Sequence, residues 1–141
     1  MPAKGRTVAH SRLIAGFIGP LLAAMGVAML VNRELFPVII DQISHDYGLI
    51  IVSGMLSLLA GIAIVRIHNI WSGGWQVIVT LFGWLAIVGG LARMWMPQAA
   101  GPIADSITAS PAALVVAAVV LLALGGFLSY KAYASTSEVN R

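Results

Sequence analysis

Apolar positions dominate four long stretches of the chain. They run from about residue 12 to 31, 47 to 65, 75 to 95 and 111 to 130. A helix needs about 20 apolar residues to cross a hydrocarbon core roughly 30 Å thick. Barrel strands would instead alternate apolar and polar positions, which these stretches do not. The pattern therefore predicts an all-α membrane protein, a four-transmembrane-helix bundle with residues 1–141 in a single integral membrane domain.

A different pattern separates the first two spans. Apolar residues recur there at helical spacing, with polar residues between them, which predicts a short helix lying in the membrane interface at about residues 33–45. The apolar set is Leu35, Phe36, Ile39, Ile40 and Ile43. The segment 96–110 has a weaker form of the same pattern, with Ile103 and Ile107 four residues apart.

The two halves of the chain resemble each other. A shift of 64 residues aligns the first span with the third. The same shift aligns the outer segments, residues 32–46 and 96–110, with each other. A shift of 65 aligns the second span with the fourth. Matched pairs include Gly19 with Gly83, Gly26 with Gly90, Asp41 with Asp105 and Gly61 with Gly126. The alignment predicts two tandem helical hairpins. Apolar sequences also match by chance, so the pattern alone leaves a genuine duplication open.

Small residues share helix faces within the spans. In lipid there is little hydrophobic drive between helices, so such faces favour packing through close backbone approach. The predicted packing residues are Gly19, Gly26, Gly54, Ser57, Gly61, Gly83 and Gly90. The polar residues within spans, Ser53, Ser57 and Thr80, are each expected to bond their own helix backbone.

Composition supports lipid as the solvent. Of 141 residues 60% are hydrophobic and only 9% are charged, against about a quarter charged in soluble domains. The absence of cysteine excludes disulfides, thiolate metal sites and cysteine nucleophiles. The basic residues lie at segment ends and form no stripe, so we expect no nucleic acid partner.

The basic residues also predict an orientation. Four spans place the N-terminus, the 66–74 loop and the C-terminus on one side of the membrane. That side carries Lys4, Arg6, Arg12, Arg66, Lys131 and Arg141, and the other carries Arg33 and Arg93. The positive-inside rule then puts both termini in the cytoplasm. The basic start and apolar run also fit a secretory signal peptide, but the run is longer than the usual signal core.

Reactive chemistry is sparse. The middle of every span lacks Asp, Glu, Lys, Arg and His, and such groups usually mark ion pathways or proton relays. No phosphate-binding loop, metal-ligand cluster or nucleophile–base pair is recognisable. We therefore expect no enzyme activity, no metal site and no cofactor, and lipid together with other membrane subunits or further copies of the chain as partners.

Two weak groups of candidate site residues remain. His10 and His68 fall on the same predicted side and could hold haem or a metal ion. Trp84 falls near the centre of the third span, where packing inside the bundle is favoured over contact with a quinone or pigment. The 66–75 turn carries the second group. Its candidates for contact with a partner or lipid are Arg66, His68, Asn69, Trp71 and Trp75.

The runs SRLIAGFIGPLLAAMGVAMLVN and IVRIHNIWSGGWQVIVTLFGWLAIVGGLARMWMP resemble a group of small, uncharacterised bacterial inner-membrane proteins with four predicted spans. The resemblance implies the bacterial inner membrane as the location and supplies no site residues. Three functions stay open: an accessory subunit or scaffold of a larger complex, a small oligomeric carrier or channel, and a quinone-, pigment- or haem-holding subunit.

Overall fold

The computed structural model describes residues 3–71 and 74–134, with side chains from Ser11 onward, and this part of the chain is helical without strands. Its α-helices are α1 (Ala3–Val31), α2 (Phe36–His45), α3 (Tyr47–Ile67), α4 (Gln76–Trp95), α5 (Ala100–Thr108) and α6 (Pro111–Tyr133). Helices α1, α3, α4 and α6 are long and apolar enough to cross a membrane. The all-α, four-span prediction is confirmed.

The two short helices, α2 and α5, lie within the outer segments. Helix α2 begins at Phe36 instead of about residue 33, because residues 32–35 form a turn and Pro37 fits the first turn of a helix. The segment predicted only weakly to be helical contains a 3-10 turn, Pro97–Ala99, followed by α5. Helix α5 packs against α2.

The described residues form two compact units, one containing α1 with most of α6 and the other containing residues 32–114. In the second unit α3 packs along α4. A Cβ on Gly61 would lie 2.7 Å from the carbonyl oxygen of Gly83, and one on Gly90 would lie 2.7 Å from that of Gly54. Contacts this short leave no room for a side chain, so glycine sets the approach of the two helices.

A polar contact supplements this packing. The Ser57 hydroxyl donates to the carbonyl oxygen of Ala86 at 3.0 Å, across the α3–α4 pair. Ser53 instead donates to Ile50 on its own helix, as expected. Ser57 therefore differs from the prediction, because the close helix approach brings a carbonyl of α4 within its reach.

The first unit contains a similar pair. A Cβ on Gly19 would lie 3.0 Å from the carbonyl oxygen of Gly125, and one on Gly26 would lie 2.8 Å from that of Ala118. Helix α1 therefore approaches α6 through the same kind of backbone contact that joins α3 to α4.

A constant shift of 64 residues relates the two halves. Helices α1 and α4 end at 31 and 95, α2 and α5 begin at 36 and 100, and α3 and α6 begin at 47 and 111. Buried positions match at the same shift: Ile50 with Leu114, Gly54 with Ala118, Gly61 with Gly125, and His68 with Ala132. The 65-residue shift for the second and fourth spans is therefore wrong, and Gly125, not Gly126, corresponds to Gly61.

The contacts repeat as well. A Cβ on Gly61 would meet Gly83 and Ile87, and a Cβ on Gly125 would meet their counterparts, Gly19 and Ala23. Each packed pair thus takes one helix from each half of the chain. This differs from the tandem hairpins expected from the sequence, because the small-residue face of each span fits a span of the other half.

Two adjacent glycines of α6 test this packing. A Cβ on Gly125 would collide with the amide nitrogen of Ala23, whereas one on Gly126 would have nothing within 4 Å. We expect Gly125→Ala to destabilise the protein by about 1–3 kcal/mol, the usual cost of overpacking. Gly126→Ala should leave stability unchanged or raise it, because alanine favours helix.

Thermal unfolding in detergent, followed by circular dichroism, measures the difference between these variants. Equal unfolding temperatures for the two variants would contradict the close contact between α1 and α6.

Candidate functional site

Two buried side chains, His68 and Thr80, fix the loop between α3 and α4 through hydrogen bonds. His68 follows the last turn of α3, where its backbone N–H donates to the carbonyl oxygen of Ile64 at 2.7 Å. Its side chain is 1% exposed, and Nε2 lies 3.1 Å from the carbonyl oxygen of Gln76 at the start of α4. His68 is therefore a buried link between two helices, not the exposed partner-contact residue that the sequence suggested.

Thr80 anchors the same loop. Its hydroxyl donates to the carbonyl oxygen of Ile70 at 3.0 Å and accepts from the Ile70 N–H at 3.1 Å, and the side chain is fully buried. The expected bond to its own helix is absent from these contacts, because the loop backbone has no helical partner and needs one when buried. Thr80 thus satisfies both polar groups of Ile70.

The other candidates in this loop are more accessible. Arg66, Asn69 and Trp71 are exposed and Trp75 is half-buried. The Trp71 indole N–H donates to Oδ1 of Asn69 at 2.7 Å, which orients the ring on the surface. These four residues, unlike His68, are available to a lipid headgroup or a protein.

The candidates for cofactor contact do not form one site in the described residues. The side chain of His10 lies outside the described part of the chain, and His68 is engaged by the loop. Trp84, at the middle of α4, is 41% exposed, so it is not packed inside the protein as the sequence favoured. Its indole N–H has no hydrogen-bond acceptor among the described residues.

A second site lies where α2 and α5 pack. Asp41 and His45 of α2 and Asp105 of α5 are all exposed, and each offers a ligand atom within 4.8 Å of the other two. Nδ1 of His45 lies 3.2 Å from Oδ1 of Asp41 and 2.9 Å from the Asp41 carbonyl oxygen. We call these three residues the outer cluster.

Glycine on α5 makes room for the imidazole of this cluster. A Cβ on Gly101 would lie 3.3 Å from Nε2 of His45, closer than an ordinary side-chain contact. On the other side of the ring, the Ser44 hydroxyl lies 3.3 Å from Nδ1 and donates to the Asp41 carbonyl at 3.0 Å. The ring is thus placed by both helices.

The electrostatics of the cluster favour a cation. Hydrogen bonding to the Asp41 backbone raises the pKa of His45; desolvation lowers it, while the carboxylates of Asp41 and Asp105 raise it further. The pKa therefore lies above its ordinary value of about 6.5.

Sequence reasoning did not find this cluster. It placed His45 on the opposite side from His10 and His68, and it aligned Asp41 with Asp105 only as evidence of a repeat. The available signal was the i, i+4 spacing of Asp41 and His45, which puts both on one helix face. That α5 would bring Asp105 to the same face depends on tertiary packing.

Comparison with protein-family models, with curated proteins and with solved structures finds no match for this chain.

A titration tests the geometry of the outer cluster. We expect the pKa of His45 to be above 6.5 in buffer without divalent ions, and Asp105→Asn to lower it by removing a nearby negative charge. Since the folded-state pKa is raised, the stabilisation by His45 is fully present below about pH 6.5 and is lost as pH rises through the folded pKa.

Histidine ring signals in nuclear magnetic resonance spectra measure this pKa. Glu34→Gln removes an exposed carboxylate outside the cluster and is the control. An unchanged His45 pKa in Asp105→Asn would contradict the proximity of α5.

Proposed function

We propose that this protein is a non-enzymatic membrane subunit that works by binding other membrane proteins, as an accessory or assembly subunit or scaffold of a larger inner-membrane complex. The observation that carries this proposal is Trp84. Its ring is exposed halfway along an apolar helix, whereas tryptophan in membranes favours the interfaces. The hydrocarbon core offers no acceptor for the indole N–H.

A neighbouring helix would resolve this mismatch. A backbone carbonyl or hydroxyl of a partner can accept from an indole N–H, and the ring provides a large apolar contact. The rest of the membrane surface is compatible with such contacts, since only 17–28% of the residues in an 18-residue apolar stretch of each span are buried. The span interiors lack ionisable residues, which favours binding over proton or ion transfer.

The location we propose is the bacterial inner membrane, with both termini in the cytoplasm. The support is the resemblance to small inner-membrane proteins and the excess of basic residues on the side of the termini and of the α3–α4 loop. In this orientation Arg66, Asn69, Trp71 and Trp75 face the cytoplasm and the outer cluster faces the other side.

Copurification tests the proposed subunit role. The affinity-tagged chain, expressed in its own host and extracted in mild detergent, should retain one or more specific membrane proteins, identified by mass spectrometry. Trp84→Ala should reduce their recovery by about tenfold or more, because central aromatic contacts often contribute 2 kcal/mol or more. Trp84→Phe should reduce recovery less, and this smaller loss measures the contribution of the indole N–H.

Trp95→Phe is the matched control, since Trp95 is 75% exposed at the end of the same helix. Its copurifying proteins should be those of the wild type. Recovery of this chain alone, or equal recovery with Trp84→Ala, would contradict a partner at Trp84.

Single cysteines test the orientation, because the chain has none of its own. In intact cells a membrane-impermeant maleimide should label Glu34→Cys and leave Asn69→Cys unlabelled until the cells are opened. Both positions are exposed, so accessibility within the protein does not separate them. Labelling of Asn69→Cys in intact cells would contradict cytoplasmic termini.

The repeated structure favours a second candidate, a small carrier or channel acting as an oligomer. Parallel repeats occur in transporters, and helix ends, buried positions and glycine contacts all repeat here at 64 residues. Recovery of only this chain, as a defined oligomer, together with solute flux into vesicles that contain it, would favour this candidate over the subunit role.

A further inference from the structure

Two short helices bring three metal-ligating side chains together outside the spans. Asp41 and Asp105 occupy equivalent positions of the two halves, 64 residues apart, and α2 packs on α5. The repeated pattern thus brings a carboxylate from each half to within 4.8 Å of the other. His45 is present in one half only, since Ala109 takes its place in the other.

Ion pairing within the protein does not account for this convergence. Asp41 and His45 alone would make an ordinary exposed pair at i, i+4, which contributes little. Asp105 adds a second carboxylate from another helix, and neither α2 nor α5 contains Lys or Arg. Two like charges this close repel each other, and the imidazole beside them is charged only when protonated.

We propose that Asp41, His45 and Asp105 bind a divalent transition-metal ion of the Zn²⁺ or Mn²⁺ type at the junction of α2 and α5. Two carboxylate oxygens and one imidazole nitrogen form a ligand set that suits these ions better than Mg²⁺ or Ca²⁺, which prefer oxygen alone. The three ligand atoms already lie within 4.8 Å of one another, so a small inward movement of exposed side chains reaches coordination distances of about 2.0–2.2 Å.

The imidazole of this site is already held in one orientation. A metal-ligating histidine usually bonds a carbonyl or carboxylate through its other ring nitrogen, which fixes the tautomer. Nδ1 of His45 is already in contact with the Asp41 carbonyl, and Nε2 lies beside Gly101, which has no side chain to cover it. Exposure of all three residues lets water complete the shell and gives the ion direct entry from solution.

The bound ion would join α2 to α5, and through them the two halves of the chain outside the membrane. This inference is independent of the partner proposed at Trp84, since metal binding and copurification are measured separately and either can fail alone.

Calorimetry of the full-length protein in detergent tests the site, with Zn²⁺ and Mn²⁺ as separate probes and millimolar Mg²⁺ present throughout. We expect one ion bound per chain. Asp105→Asn and His45→Ala should each weaken binding by at least about tenfold, since loss of even a group that only supports a ligand costs about 10–100-fold in metal affinity. Glu34→Gln should bind as the wild type does.

Nuclear magnetic resonance of the wild type keeps the test valid if a variant folds poorly. Saturating Zn²⁺ should shift the ring signals of His45 and leave those of the buried His68 in place. An absence of binding by either ion, binding unchanged in Asp105→Asn and His45→Ala, or unmoved His45 signals would each overturn the proposal.

Discussion

Close backbone approach between helices is the constraint on which the rest of this structure depends. Lipid tails are as apolar as the span side chains, so association in the membrane relies on van der Waals contact and a few hydrogen bonds. Glycine at 54, 61, 83 and 90 lets α3 and α4 touch along their backbones. The Ser57 hydroxyl then reaches a carbonyl that would otherwise be too distant. The uncharged spans leave no stronger interaction to replace these contacts.

The same constraint explains the register between the halves. A glycine allows close approach only where the backbone of the facing helix lies directly opposite it. Helix ends and buried positions must therefore keep the same spacing in both halves as the glycines do. In both packed pairs they keep a shift of 64 residues. The outer segments keep it too, which carries Asp41 and Asp105 to equivalent positions and permits α2 to meet α5.

The sequence predicts the spans well because hydrophobic length is a local property. It also singles out Gly19, Gly61 and Gly83, since small residues at helical spacing form visible faces. It does not tell which span each face meets, and apolar residues match so readily that Gly126 replaced Gly125 in the alignment. His68, Thr80 and the outer cluster depend on contacts between segments, which spacing along one helix cannot reveal. Trp84 was misjudged because periodicity does not distinguish a face that meets lipid from one that meets protein.

The pairing of α1 with α6 also governs how the chain can assemble as it is made. Helix α1 is synthesised before α2, α3, α4 and α5, but the helix that covers Gly26, α6, follows all of them. The roughly 90 residues between Gly26 and Ala118 take about 5–20 s to translate at common rates. Throughout that interval the face of α1 that carries Gly19 and Gly26 is open to lipid, to insertion factors and to the helices of neighbouring proteins.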